Sequence, residues 1–154
     1  MKMVLAVFFL LFSSVSMAAL AIQRPSVPPG LMHIDSDAKT DTYLKTTSLA
    51  EHHEYLVAQV IQNFKERQEW EEKSADGYLS VINFLFINCT NKTYANNVAI
   101  VFFTQPFGTG EVVFAMDRSD EPDSWFDDFQ KADRGTDLKL VNTACDLYQA
   151  SRKK

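Results

Sequence analysis

The chain has 154 residues, of which 46% are hydrophobic, 23% charged and 12% aromatic. That length and composition describe one globular domain and exclude wholesale disorder, collagen-like repeats and low complexity. Fifteen basic residues against twenty acidic ones give a formal charge of −5. An acidic chain gains little from phosphate backbones, so nucleic acid is not an expected partner.

The first segment reads as an address. Lys2 precedes an apolar run from Val4 to Phe12, followed by small residues that end in Ala19-Leu20-Ala21. This is the order of a secretory signal peptide, and the apolar run is too short to span a bilayer. Cleavage is expected after Ala21, with Ala18 or Ala19 as other choices, which makes residues 1–21 the signal. It leaves 133 residues and, with Lys2 gone, a net charge of −6. No later stretch is long and apolar enough to cross a membrane, so no membrane span is expected after cleavage. Neither cysteine lies near the cleavage point, where a bacterial lipoprotein carries its lipid. The mature protein is therefore expected to be exported, periplasmic or at the cell surface, and not lipidated.

Residues 22–39 hold Pro25, Pro28, Pro29 and Gly30 and predict an irregular N-terminal arm. Thr42 to Thr47 predicts a short extended piece, and Ser48 to His53 a polar turn. In Glu54 to Phe64, Leu56, Ala58 and Val60 alternate with Tyr55, Val57 and Gln59, the pattern of a strand with one better-buried face. The mixed charges of Lys65 to Gly77 predict a solvated hairpin loop or a short exposed helix. Tyr78 to Cys89 is the clearest strand. Leu79, Val81, Leu85, Ile87 and Cys89 share one parity, broken by Asn83, while Tyr78, Ile82, Phe84 and Phe86 make the other parity apolar as well.

After a turn at Asn91-Lys92, Thr93 to Thr104 and Glu111 to Met116 predict two more strands. They are separated by a turn containing Pro106, Gly108 and Gly110. Asp117 to Gly135 predicts an acidic loop anchored by Trp125, Phe126 and Phe129. Thr136 is a candidate N-cap, and Leu138, Val141, Cys145 and Tyr148 form one helical stripe. The expected fold class is α+β: a mainly antiparallel β-sheet packed by a C-terminal α-helix that covers its apolar face.

Cys89 and Cys145 are the only cysteines. Export permits a disulfide, and a pair of cysteines leaves one intramolecular pairing. Two buried thiols or an intermolecular bond are the alternatives. An intramolecular bond would pin the helix stripe to the end of the best strand. The absence of C-x-x-C argues against thiol-redox chemistry.

Other chemistry-bearing residues have structural readings. Glu51-His52-His53-Glu54 combines imidazoles and carboxylates, so His52 and His53 are the candidates for a metal site. Adjacent side chains of an extended segment point to opposite faces, and the spacing is not H-E-x-x-H. A third nitrogen would have to come from His33. The polar turn is the favoured reading, and no metal or other cofactor is expected. No Gly-x-Ser-x-Gly elbow marks a nucleophilic serine, so no catalytic residue is assigned. The acidic stretch Asp117 to Asp128 lacks the spacing of a calcium loop and reads as solvated. Asn88-Cys89-Thr90 and Asn91-Lys92-Thr93 match the glycosylation sequon.

Taken in order, these pieces resemble the surface-adhesin E family of small exported bacterial proteins. Tyr43 to Ser48 (YLKTTS) is similar to the family's opening strand, Glu54 to Phe64 to its second strand, and Tyr78 to Cys89 (YLSVINFLFINC) to the strand ending in its first cysteine. Thr93-Tyr94, Trp125 and Thr136 to Cys145 (TDLKLVNTAC) are similar to later landmarks. The resemblance covers residues 40–150, the expected domain. It implies an antiparallel sheet with a packed helix, a Cys89–Cys145 bridge and a surface or periplasmic role without catalysis. It also implies adhesion to host matrix or cell-surface proteins, and dimers. It carries over no ligand-contacting residue, so the binding residues and the identity of the protein partner stay unassigned. The alternatives are a soluble periplasmic interaction or inhibitor-type protein, and a small metal-dependent hydrolase.

Overall fold

The computed structural model describes residues 26–69, 77–119 and 129–153. The expected signal segment, Trp125, Phe126 and the acidic positions 120–128 lie outside the described residues. Among the described residues eight strands form one antiparallel sheet: β1 (Leu31–Ser36), β2 (Thr40–Lys45), β3 (Ala50–His52), β4 (Tyr55–Gln68), β5 (Tyr78–Asn88), β6 (Thr93–Gln105), β7 (Thr109–Asp117) and β8 (Gln130–Lys131). A single long helix, α1 (Gly135–Ser151), closes the described chain.

The sheet order is β1-β2-β4-β5-β6-β7. Three long strands, β4 to β6, make its centre. Each flank is built in two pieces. On the outer edge of β4, β2 pairs with residues 60–64 and β3 with 55–57. On the outer edge of β6, β7 pairs with residues 99–105 and β8 with 93–94.

Both parities of the central strands are apolar because both faces carry a cover, though an unequal one. On one face Leu56, Ala58 and Val60 of β4 and Leu85 and Ile87 of β5 pack with Leu44, Tyr94 and the helix residues Leu140, Val141, Ala144 and Cys145. On the other face Tyr55, Phe86, Ala95 and Val98 form a smaller cluster with half-buried Phe129. The Cys89–Cys145 disulfide is formed, with an S–S distance of 2.07 Å, and ties the helix to the end of β5.

Several expectations are corrected. The arm predicted for residues 22–39 contains strand β1. Its alternation is hidden because the register shifts between His33 and Asp35, a bulge that moves the side-chain parity. The charged segment after Phe64 is neither loop nor helix at its start: β4 runs on to Gln68, with Lys65, Glu66 and Arg67 exposed on it. Ser48 to His53 is not all turn, since Ala50–His52 pairs with β4. Thr136 does not cap the helix. Arg134 holds the N-cap position without a side-chain bond. The Thr136 hydroxyl instead donates to Asp35 Oδ2 at 2.6 Å. The buried stripe is Leu140, Val141, Ala144 and Cys145, which leaves Leu138 at its margin.

The β6–β7 turn explains two buried polar residues. Phe107 (φ 60°) and Gly108 (φ 69°) are both left-handed, a conformation that costs a non-glycine residue about 1–2 kcal/mol. Asn63 Oδ1 accepts the Phe107 N–H at 2.7 Å, and Ser80 Oγ accepts the Gly108 N–H at 2.9 Å while donating to the Gln105 carbonyl. A Cβ on Gly108 would come within 2.3 Å of Ile82 Cδ1.

Candidate functional site

Helix α1 covers only one end of its face of the sheet. Beyond its first turn the face opens into a cleft of about 260 Å³. The floor is aromatic. Phe64 of β4, Tyr78 of β5 and Phe102 of β6 line it and meet edge to face, with ring centroids 5.3 and 4.8 Å apart, and Phe114 of β7 continues the series outside the cleft at 5.7 Å from Phe102. T-shaped contacts of this kind are a preferred arrangement of aromatic quadrupoles.

Between this ladder and the helix lies a polar band. Gln62 of β4, Asn83 of β5 and Asn96 of β6 bring carboxamides to the same cleft. The pairing of Gln62 with Val81 and of Val60 with Asn83 shows how neighbouring strands deliver them to one side. The helix side contributes Thr136 and Asp137. The buried Tyr94 hydroxyl is hydrogen-bonded to Asp137, and burial together with that carboxylate pushes the phenol's pKa up. No Lys, Arg or His is among the described residues lining the cleft.

Two polar ties hold the helix beside it. Asp35 of β1 accepts from Lys139 Nζ at 2.7 Å and from the Thr136 hydroxyl. These contacts, Lys139 first, lower the Asp35 pKa to about 2. At the other end Arg152 donates to Glu51 Oε1 at 3.0 Å and lies 5.7 Å from the centre of the Tyr148 ring. Hydrogen bonding with Glu51 is the main cause of a raised Tyr148 pKa.

The opposite face carries a broader groove of about 590 Å³ beside β2 and the β6–β7 turn. Tyr43 and Phe107 meet edge to face there at 5.4 Å, and His33 lies 5.4 Å from Tyr43. Ser36 sits between His33 Nε2 (2.9 Å) and Asp41 Oδ1 (2.5 Å). The Ser36 hydroxyl donates to the carboxylate, so the imidazole donates to Ser36 Oγ. A nucleophilic triad needs the imidazole between serine and carboxylate, and this chain of contacts has the serine there.

The histidine pair is closer than its sequence predicts. His53 is left-handed (φ 54°), which breaks the extended alternation and brings the His52 and His53 rings to 4.5 Å. Both are exposed. His33 stands on β1, outside β2, and does not join them. Among the described residues no group of three or more His, Cys, Asp or Glu is placed to hold a metal ion. Asn88 has a structural role, its Oδ1 accepting from the N–H groups of Thr90 and Asn91. Sequence reasoning assigned no role to Gln62, Asn83 or Asn96. One signal was present: Asn83 is the carboxamide that interrupts the apolar parity of β5.

One antiparallel sheet, a C-terminal helix tied to it by a disulfide and a cleft left open beside that helix define a small disulfide-bonded α+β domain. The family model for surface-adhesin protein E matches residues 31–146, and the chain belongs to that family. Crystal form II of Haemophilus influenzae protein E has the same fold at 13% identity and a TM-score of 0.61, covering 80% of this chain and 93% of that one. Another structure of Haemophilus influenzae protein E aligns with a TM-score of 0.58 at 14% identity, covering 80% and 89%. Its selenomethionine form gives 0.56 at 13%, covering 78% and 88%. No curated protein matches the sequence. Among the described residues no helix is long and apolar enough to cross a membrane.

Proposed function

We propose that this protein is a non-catalytic binding module, exported and engaged with a protein partner of the host matrix or cell surface. The match of the adhesin family across residues 31–146 carries this reading. The dimer implied by the resemblance belongs to the same proposal, and light scattering on the mature protein tests it.

A periplasmic interaction protein is the second reading, and one observation favours it. Both cysteines are consumed by the disulfide, so neither is available to carry a surface-anchoring lipid. Protease treatment of intact and permeabilised cells, with a C-terminal tag, separates the two. Digestion in intact cells supports surface display. Protection until permeabilisation rejects it and directs the search to periplasmic partners.

A further inference from the structure

We infer that the cleft beside the N-terminal turn of α1 is a binding site for a neutral saccharide of one or two rings. The inference deepens the binding-module reading and rests on it, but not on where the protein resides.

The chemistry of the lining narrows the ligand. With no cationic side chain among the lining residues described, an anion such as a phosphate, a sulfated sugar or a sialic acid finds no charge partner. Asp137 is the one carboxylate among the described lining residues, and a single carboxylate makes a poor cage for a divalent cation, which takes six or more oxygen ligands. A wholly apolar ligand would cover the polar band of Gln62, Asn83 and Asn96 without offering it a hydrogen bond. A polyhydroxylated neutral ligand meets none of these objections.

Each carboxamide carries two donors and an oxygen with two lone pairs. Each sugar hydroxyl is itself both donor and acceptor. The amides of three adjacent strands therefore form a row matched to a row of hydroxyls. Tyr78 and Phe102, next to that row, supply an aromatic surface for the C–H face of a sugar ring. At about 260 Å³ the cleft is just below the usual size of small-molecule sites, roughly 300–1,000 Å³, which limits the buried part of the ligand to one or two rings.

The test applies the mature, disulfide-bonded protein to an array of neutral mono- and disaccharides, printed beside sialylated and sulfated counterparts and a peptide library. Selective binding to neutral sugars is expected. Gln62→Ala and Asn83→Ala should each weaken binding roughly tenfold, the equivalent of one lost hydrogen bond of about 1.4 kcal/mol. Val112→Ser, on exposed β7, should leave it unchanged. Thermal unfolding checks that each variant is folded. If Asn83→Ala fails that check, Gln62→Ala decides alone.

A silent array, binding confined to acidic glycans, or neutral binding indifferent to the variants overturns the inference. Capture of peptides lost in the same variants also overturns it, and makes the cleft a protein site. Adhesion to host cells that survives a silent array leaves the adhesin reading standing while this one falls. Sugar binding by a protein found only in the periplasm does the reverse.

Discussion

Removing the disulfide should cost this domain a large part of its stability. Cys89 and Cys145 are separated by 56 residues. In the chain-entropy model, closing a loop of that length constrains the unfolded chain by about 4 kcal/mol at 25 °C. Whole domains of this size are stable by only about 5–15 kcal/mol. Cys145 is fully buried among Leu140, Val141 and Ala144, so serine would leave a hydroxyl in an apolar site. The cleaner perturbation is the Cys89→Ala, Cys145→Ala double variant. It should lower the urea midpoint and raise the slope of the transition, because the freed unfolded chain exposes more surface. At about 3–5 °C per kcal/mol for this length, the melting temperature should fall by roughly 12–20 °C. Circular dichroism during urea and thermal unfolding measures both. A loss below about 1 kcal/mol would refute the entropic argument. Loss of the helical signal alone, ahead of the sheet, would show that the bond holds α1 in place and does not act mainly on the unfolded state.

Three further perturbations have defined outcomes. Leu44 is fully buried where β2 meets the helix-face core, so Leu44→Ala should cost roughly 2–5 kcal/mol in urea unfolding. Lys92 is left-handed (φ 55°) in the β5–β6 turn, and Lys92→Asn should stabilise by roughly 0.5–1 kcal/mol, since asparagine tolerates that conformation; a loss of stability counts against the turn geometry. Asp35 has a folded pKa of about 2, below its ordinary 3.8. A depressed carboxylate contributes stability that is fully present above the unfolded value and is lost as pH falls through the folded one. Asp35→Asn should therefore lower the urea midpoint at pH 6 and flatten its decline between about pH 4 and 2. An unchanged acid slope would contradict the Lys139 and Thr136 contacts.

The parts of the fold written in the sequence are those set by local periodicity. Tyr78 to Asn88 and Thr93 to Gln105 are strands because β-branched and aromatic residues alternate between two covered faces. The helix is visible from its 3.6-residue spacing, although its buried stripe is turned to include Leu140 and Ala144. What escaped was set by distant partners. A bulge hides the strand in Leu31–Ser36, and Ala50–His52 is too short to show a period. Thr136 has the composition of a cap, but Asp35, 101 residues away in sequence, accepts its hydrogen bond. The cleft follows the same rule. Its carboxamides sit on three strands and converge only through the register of the sheet, so Asn83 appears in the sequence as a flaw in an apolar run.

The same arrangement explains why so small a helix can leave part of its face uncovered. Seventeen residues make α1 about 25 Å long, and only four of its side chains are fully buried. A stripe that short leaves part of the helix's position to its other ties. The disulfide fixes one point at Cys145. Asp35 fixes the first turn through Thr136 and Lys139, and Glu51 fixes the end through Arg152. The two polar ties are surface interactions, too weak to drive folding but able to select one position among similar ones. The wall of the cleft is thereby set by Thr136 and Asp137, next to the tied residue, while the disulfide bears the larger energetic load further along the helix. Binding beside α1 can then proceed on a preformed surface, without the ordering cost that a sliding helix would impose.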